Sequence, residues 1–146
     1  MKNLRLLFFL LIGLSSCQPK TVTPITDLVS KIWKANTVKE ADVLVFTLGA
    51  TSNIKPGYTN FRLDLSQPGK VILKDVDGRT ITGTWTVSTD NKRLILSDLT
   101  PKPTNTGGMI EYFILSDADG SSLNLERTAE SRKTGNTVNQ YGLIPE

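Results

Sequence analysis

The sequence predicts an all-β domain, an antiparallel up-and-down β-barrel of eight or nine strands, and three observations carry that expectation. Beyond residue 30 apolar side chains recur with period two, as in strands that bury one face. Short runs of Gly, Asp, Asn and Pro separate these segments and supply turn chemistry. No later stretch has the length or the 3.6-residue period of a helix that could cover a sheet. A sheet of that many strands must then split into a sandwich or close on itself, and sequential hairpins favour closure over the longer crossovers of a Greek key.

The N-terminus precedes the fold and has a different purpose. Lys2 and Arg5 are followed by the unbroken apolar run LLFFLLIGL, which is too short to span a bilayer permanently and reads as a secretory signal peptide over residues 1–16. Leu14-Ser15-Ser16-Cys17 matches the bacterial lipobox: an aliphatic residue, two small residues that admit the peptidase, and a thiol able to form a thioether to diacylglycerol. Acylation at Cys17 would bury many methylenes at about 0.8 kcal/mol each and satisfy the two-chain condition for stable anchoring. The expected partner of this end is therefore the membrane. Gln18 stands where aspartate marks inner-membrane retention in well-studied Gram-negative bacteria. By that sorting convention, and with no acidic cluster after the cysteine, the expected location is the cell envelope, at the outer membrane facing the periplasm. Residues 17–25 form an acylated spacer with two prolines, and residues 26–146 form the domain.

Within the domain, Thr26 to Ser30 suits one helical turn capped by Thr26 or Asp27. Strands are expected at 32–38 and 43–48 around KEAD, and at 58–65 and 71–74 around SQPGK. The clearest is TITGTWTVS, with Ile81, Gly83, Trp85 and Val87 on one face and threonines on the other. Further strands follow at 94–97, 109–116 and 123–128, with a closing strand at 138–144. MIEYFIL carries apolar residues on both faces, so one of those faces is expected to meet the tail or a partner. DVDG and DADG read as hairpin turns, since neither supplies the spaced oxygen ligands of a calcium loop.

Composition narrows the chemistry. Loss of the leader removes Lys2 and Arg5, leaving 15 basic residues against 14 acidic, a net charge of +1 rather than +3, so nucleic acid is not an expected partner. With no histidine and a single cysteine, nucleophilic triads, thiolate or imidazole metal sites and internal disulfides are excluded. No carboxylate, lysine or tyrosine pair stands out for acid-base work. The expectation is a non-enzyme with no cofactor and no metal.

The segments SKIWKA and LNLERT carry a family likeness. The chain resembles the bacterial lipocalin-like lipoproteins, within the calycin barrels, over most of residues 26–146. In lipocalins an early tryptophan follows a short helical turn, and an arginine late in the last barrel strand packs across it to shut one end; Trp33 and Arg127 occupy the matching positions. The family's glycine two residues before that tryptophan is Lys31 here, while a Gly-Thr-Trp stands at Gly83-Thr84-Trp85. The resemblance implies a membrane-anchored binding domain for a small apolar ligand. The inward candidates for its lining are Phe61, Leu63, Leu65, Ile81, Trp85, Val87, Leu94, Leu96, Leu123 and Leu125. The alternative is a non-catalytic accessory protein that docks onto an envelope protein assembly through loops or a sheet edge. If strands alternate strictly from Ile32, the tight turns KEAD, SQPGK, TDNK and DADG share one end. The long links 49–57, 98–108 and 129–137 then gather at the other end, the one that Trp33 and Arg127 are expected to close.

Overall fold

The computed structural model describes residues 22–116 and 118–146; the expected leader, Cys17 and the spacer to residue 21 lie outside the described residues. The described residues open with a short helix α1 (Ile25–Val29), one residue earlier than its sequence suggests: Pro24 holds the N-cap position and makes no side-chain cap. Nine strands follow: β1 (Ile32–Glu40), β2 (Val43–Thr47), β3 (Arg62–Gln67), β4 (Lys70–Lys74), β5 (Thr80–Val87), β6 (Arg93–Thr100), β7 (Ile110–Ile114), β8 (Leu123–Arg127) and β9 (Asn139–Pro145). All pairings are antiparallel, and β9 pairs with β1 to close the sheet.

One relationship departs from strict alternation and changes which end is which. Both β2 and β3 run antiparallel to β1 and share one of its edges. The pairs Thr37 with Thr47 through Glu40 with Val43 take its far half, and Ile32 with Asp64 through Lys34 with Arg62 take its near half. The opposite edge of β1 carries β9, from Trp33 beside Pro145 to Glu40 beside Asn139. The barrel therefore has eight walls, with β2 as an extra strand ahead of β3 in the same direction. Residues 48–61 leave the wall and return to it without reversing the chain. Sequence periodicity placed a strand from residue 58; instead Pro56–Asn60 is a 3-10 turn that opens on proline, whose fixed φ suits the first position of a helical turn.

Every strand after β2 thus runs opposite to the simple expectation. SQPGK, TDNK and DADG lie at the end that holds α1 and Trp33. KEAD, DVDGR and the long links after β6 and β8 lie at the other end. This corrects the expected placement of the long loops: they surround the end away from Trp33.

Alternation does its expected work along the walls. In β5, Ile81 and Trp85 are buried while Thr80, Thr82, Thr84 and Thr86 face water. Gly83 sits on the inner face because β5 and β6 approach closely there: a Cβ would come within 2.4 Å of the Ser97 carbonyl oxygen, beside a register shift between Thr82 and Thr84. One apolar core runs from Val29 to Leu143.

The near end is sealed. Trp33 is fully buried and its indole N–H donates to the Val29 carbonyl at 2.8 Å, which locks α1 across the barrel floor. The Lys31 ammonium lies 6.0 Å from the Trp33 ring centroid and donates to the Gly120 carbonyl, so a cation does stack over this tryptophan, from the position where the family has glycine. On the outside of β7, Phe113 and Leu115 are about half exposed and border an open groove with the segment that enters α1.

Candidate binding site

At the far end the walls are lined by tyrosine. The chain has three tyrosines, Tyr58, Tyr112 and Tyr141, and all three are buried in one cluster. Tyr112 and Tyr141 arrive by strand parity from β7 and β9, and Tyr58 arrives on the 3-10 turn. Phe61 stacks on Tyr141 with ring centroids 5.1 Å apart, while Tyr112 and Tyr58 meet Tyr141 edge-on at 5.9 and 6.3 Å. Offset and edge geometries of this kind suit the ring quadrupoles.

Above this floor lies a cavity of about 70 Å³ that opens among the loops. Its rim combines Asp75 and Arg79 from the β4–β5 turn, Thr104 and Thr106 from the β6–β7 loop, and Lys133 and Thr134 from the β8–β9 loop. Lys133 donates to both Asp75 and Asp77 and so ties two loops together across the mouth. Asp75 also accepts the backbone N–H groups of Asp77 and Arg79 at 3.0 Å, and the Arg79 guanidinium approaches it at 3.6 Å. The DVDG carboxylates are thus committed to a turn and to side-chain cations. Asp119 and Gly120 likewise form a turn, with Asp119 accepting the Ser121 and Ser122 amides.

Two inward polar groups near the rim are engaged by their neighbours. Glu40 is only 7% exposed and accepts from the Tyr58 hydroxyl at 2.8 Å and from Lys55. Asn139 Oδ1 accepts from Thr137 and Thr134, and its Nδ2 donates to the Tyr141 hydroxyl at 3.3 Å. Arg127 also lines the cavity, beside its cross-strand neighbour Tyr112. Burial pushes the phenol pKa values of Tyr58, Tyr112 and Tyr141 upward, and for Tyr58 and Tyr112 the neighbouring Tyr141 adds to the rise. The three hydroxyls therefore stay protonated and keep a proton to donate.

The sequence-predicted residues divide sharply. Leu63, Leu65, Leu94, Leu96, Leu123 and Leu125 are fully buried in the packed core, with Trp85 nearly so and its indole N–H donating to the Gln67 carbonyl at 3.0 Å. Val87 is half-buried against the same core, and only Phe61 and Ile81 of the ten reach the cavity. The expected pairing of Trp33 with Arg127 is corrected. Along β8, β9 and β1, Leu123, Leu143 and Ala35 share a level; Arg127 projects beyond Leu125 and Tyr141, toward Asn139 and Glu40. Trp33 lies past Ala35 in the other direction, so the two residues occupy opposite ends. The reason is the reversed course of β8 that follows from β2 and β3 running the same way.

Sequence reasoning missed Tyr58, Tyr112 and Tyr141 as a site. The inward parity of Tyr112 with Ile110 was a usable signal, whereas Tyr58 reaches the cavity through a turn that carries no period.

No family model matches the chain, and no curated protein matches it. Two solved structures are similar in fold. One is a lipocalin-like protein from Bacteroides uniformis ATCC 8492, with TM-score 0.51 and 16% identity, covering 82% of this chain and 99% of that one. The other is an uncharacterized protein from Bacteroides eggerthii DSM 20697, with TM-score 0.47 and 10% identity, covering 80% of this chain and 98% of that one. The fold is thus lipocalin-like: a closed, eight-stranded antiparallel barrel with one extra strand.

Proposed function

We propose that the protein is a non-catalytic, lipid-anchored binding domain of the bacterial cell envelope, and that its ligand enters at the loop-bearing mouth rather than deep within the barrel. One observation carries this reading. The lower interior is filled by leucine and tryptophan side chains, and the unfilled space sits over the tyrosine floor, where loops converge. A whole drug-sized ligand needs roughly 300 Å³ or more. A space of about 70 Å³ accepts the end of a molecule whose remainder lies among the loops. This replaces the deep apolar cup implied by the family resemblance with a shallow, polar-rimmed site.

The lipobox gives the reading its location. Residue 22 enters the fold beside the closed end, and the five residue-to-residue steps from Cys17 to Val22 span at most about 18 Å. An anchor at Cys17 leaves the closed end against the bilayer and the mouth turned away from it, free to sample ligand.

The test is a ligand screen by amide chemical-shift mapping on the full chain. Binders should move resonances of the β4–β5 turn, the β8–β9 loop and Tyr141, and leave the indole N–H signals of Trp33 and Trp85 in place. Binders that move only the closed end, or the groove beside Phe113, would refute the mouth as the site.

A further inference from the structure

Resting on the mouth as the binding site, we infer that it takes the oxyanion end of a carboxylate ligand, gripped by the Arg127 guanidinium with the Tyr112 hydroxyl beside it. Three features of the mouth converge on this chemistry.

The first is charge. Around the opening, Lys133 is paired with Asp75 and Asp77, Arg79 approaches Asp75, and Lys55 is paired with Glu40. Arg127 donates its Nε–H to the Ala129 carbonyl at 3.2 Å and, among the described residues, has no carboxylate partner. Strand parity with Leu123 and Leu125 turns it inward, where it is half-buried. A partly desolvated cation without a counter-ion favours an anion that supplies one.

The second is the direction of the unused hydrogen bonds. Asn139 and Glu40 are already engaged by their neighbours. Among the described residues the Tyr112 hydroxyl has no hydrogen-bond partner. It is not sealed away, because no buried side-chain oxygen or nitrogen lacks a partner; it faces the cavity that Tyr112 lines. The capacity left on Arg127 and Tyr112 is donor capacity: the outer guanidinium N–H groups and the phenol O–H. Groups of that kind select an acceptor, and the planar fork of arginine matches a carboxylate in two parallel bonds.

The third is shape. The rings of Phe61 and Tyr141 floor the cavity, and its volume admits a carboxylate end and the first apolar atoms behind it, with the rest of the ligand among the loops. Arg127, the one cavity-lining cation without a carboxylate partner among the described residues, fits a monoanion better than a phosphate dianion, whose second charge would face Asp75.

Benzoate and benzyl alcohol share a ring and a similar size but differ in charge, so they separate the anion from the floor. Each is titrated into the nitrogen-15-labelled full chain. Benzoate should shift the Arg127 Nε–H and the Tyr112 amide and bind at least about tenfold more tightly than benzyl alcohol, as a charge-assisted bond allows. Arg127→Gln should erase that preference, and Arg127→Lys should keep part of it, with unchanged Trp33 and Trp85 indole signals reporting an intact barrel. Equal binding of both probes at the mouth of the natural protein would overturn the oxyanion inference while leaving the mouth as a site. No shift at the mouth with either probe would overturn both.

Discussion

The Tyr58 hydroxyl donates to Glu40 Oε1 at 2.8 Å, joining the 3-10 turn of an insertion to the last residue of the first barrel strand. Both groups are buried, and Lys55 from the same insertion completes the cluster on the other carboxylate oxygen. Further bonds tie the insertion to β2: Lys55 N–H donates to the Val45 carbonyl at 3.0 Å, and the Asn53 side chain accepts from and donates to the Thr47 backbone. The segment that interrupts the wall is thereby made part of the mouth.

Tyr58→Phe removes one partner of a buried carboxylate and keeps the ring packing. It should cost about 1–3 kcal/mol, the range for a hydrogen bond to a charged buried group. Urea unfolding of both proteins checks this, and equal midpoints would mean that Glu40 finds water in place of Tyr58.

Trp33→Ala should cost about 3–5 kcal/mol, as removal of a fully buried aromatic does. Because Arg127 lies at the other end, a double-mutant cycle of Trp33→Ala with Arg127→Ala should be additive within about 0.5 kcal/mol. A coupling energy above about 1 kcal/mol would bring the two side chains back into contact and contradict the strand directions.

The tyrosines predict an alkaline transition. Each has a folded pKa above the unfolded value of about 10. Above pH 10 the unfolded chain binds fewer protons than the folded one, so stability, fully present below pH 10, falls as pH rises toward the folded values. Phenolate absorbance should appear in one step together with loss of the β-sheet circular dichroism. A smooth titration centred near pH 10 with the sheet intact would place the tyrosines in solvent.

Cys17→Ser should move the protein from the membrane fraction to the soluble fraction with its Trp33 and Trp85 environments unchanged. Retention on the membrane after a salt wash would show that something other than lipid on Cys17 holds it.

Much of the wall was legible in advance. Ile81 and Trp85 alternate with threonines because a pleated strand with one wet face demands it, and Leu123 and Leu125 obey the same rule. Asp-Gly at residues 77–78 and 119–120 marked turns where glycine takes positive φ, and both glycines do so. The mouth was less legible. Tyr141 stood in a weakly patterned closing strand, and Tyr58 stood in what looked like the start of another.

The sequence by itself determined a series of short antiparallel strands with a leucine-rich inner face and favoured their closure into a barrel, because alternation and turn chemistry are local properties of consecutive residues; the pairing of β9 with β1 that closes it is non-local. The assignment of Cys17 as an anchor also rests on sequence alone. Tertiary structure decided which end is open. A strand's direction depends on the edge it joins, and β2 and β3 both join the same edge of β1 across an interval of fourteen residues. That choice is set by non-local pairing and by the Tyr58 to Glu40 bond, which no period records. It reversed every later strand, sent Arg127 away from Trp33, and placed it beside Tyr112 at the mouth.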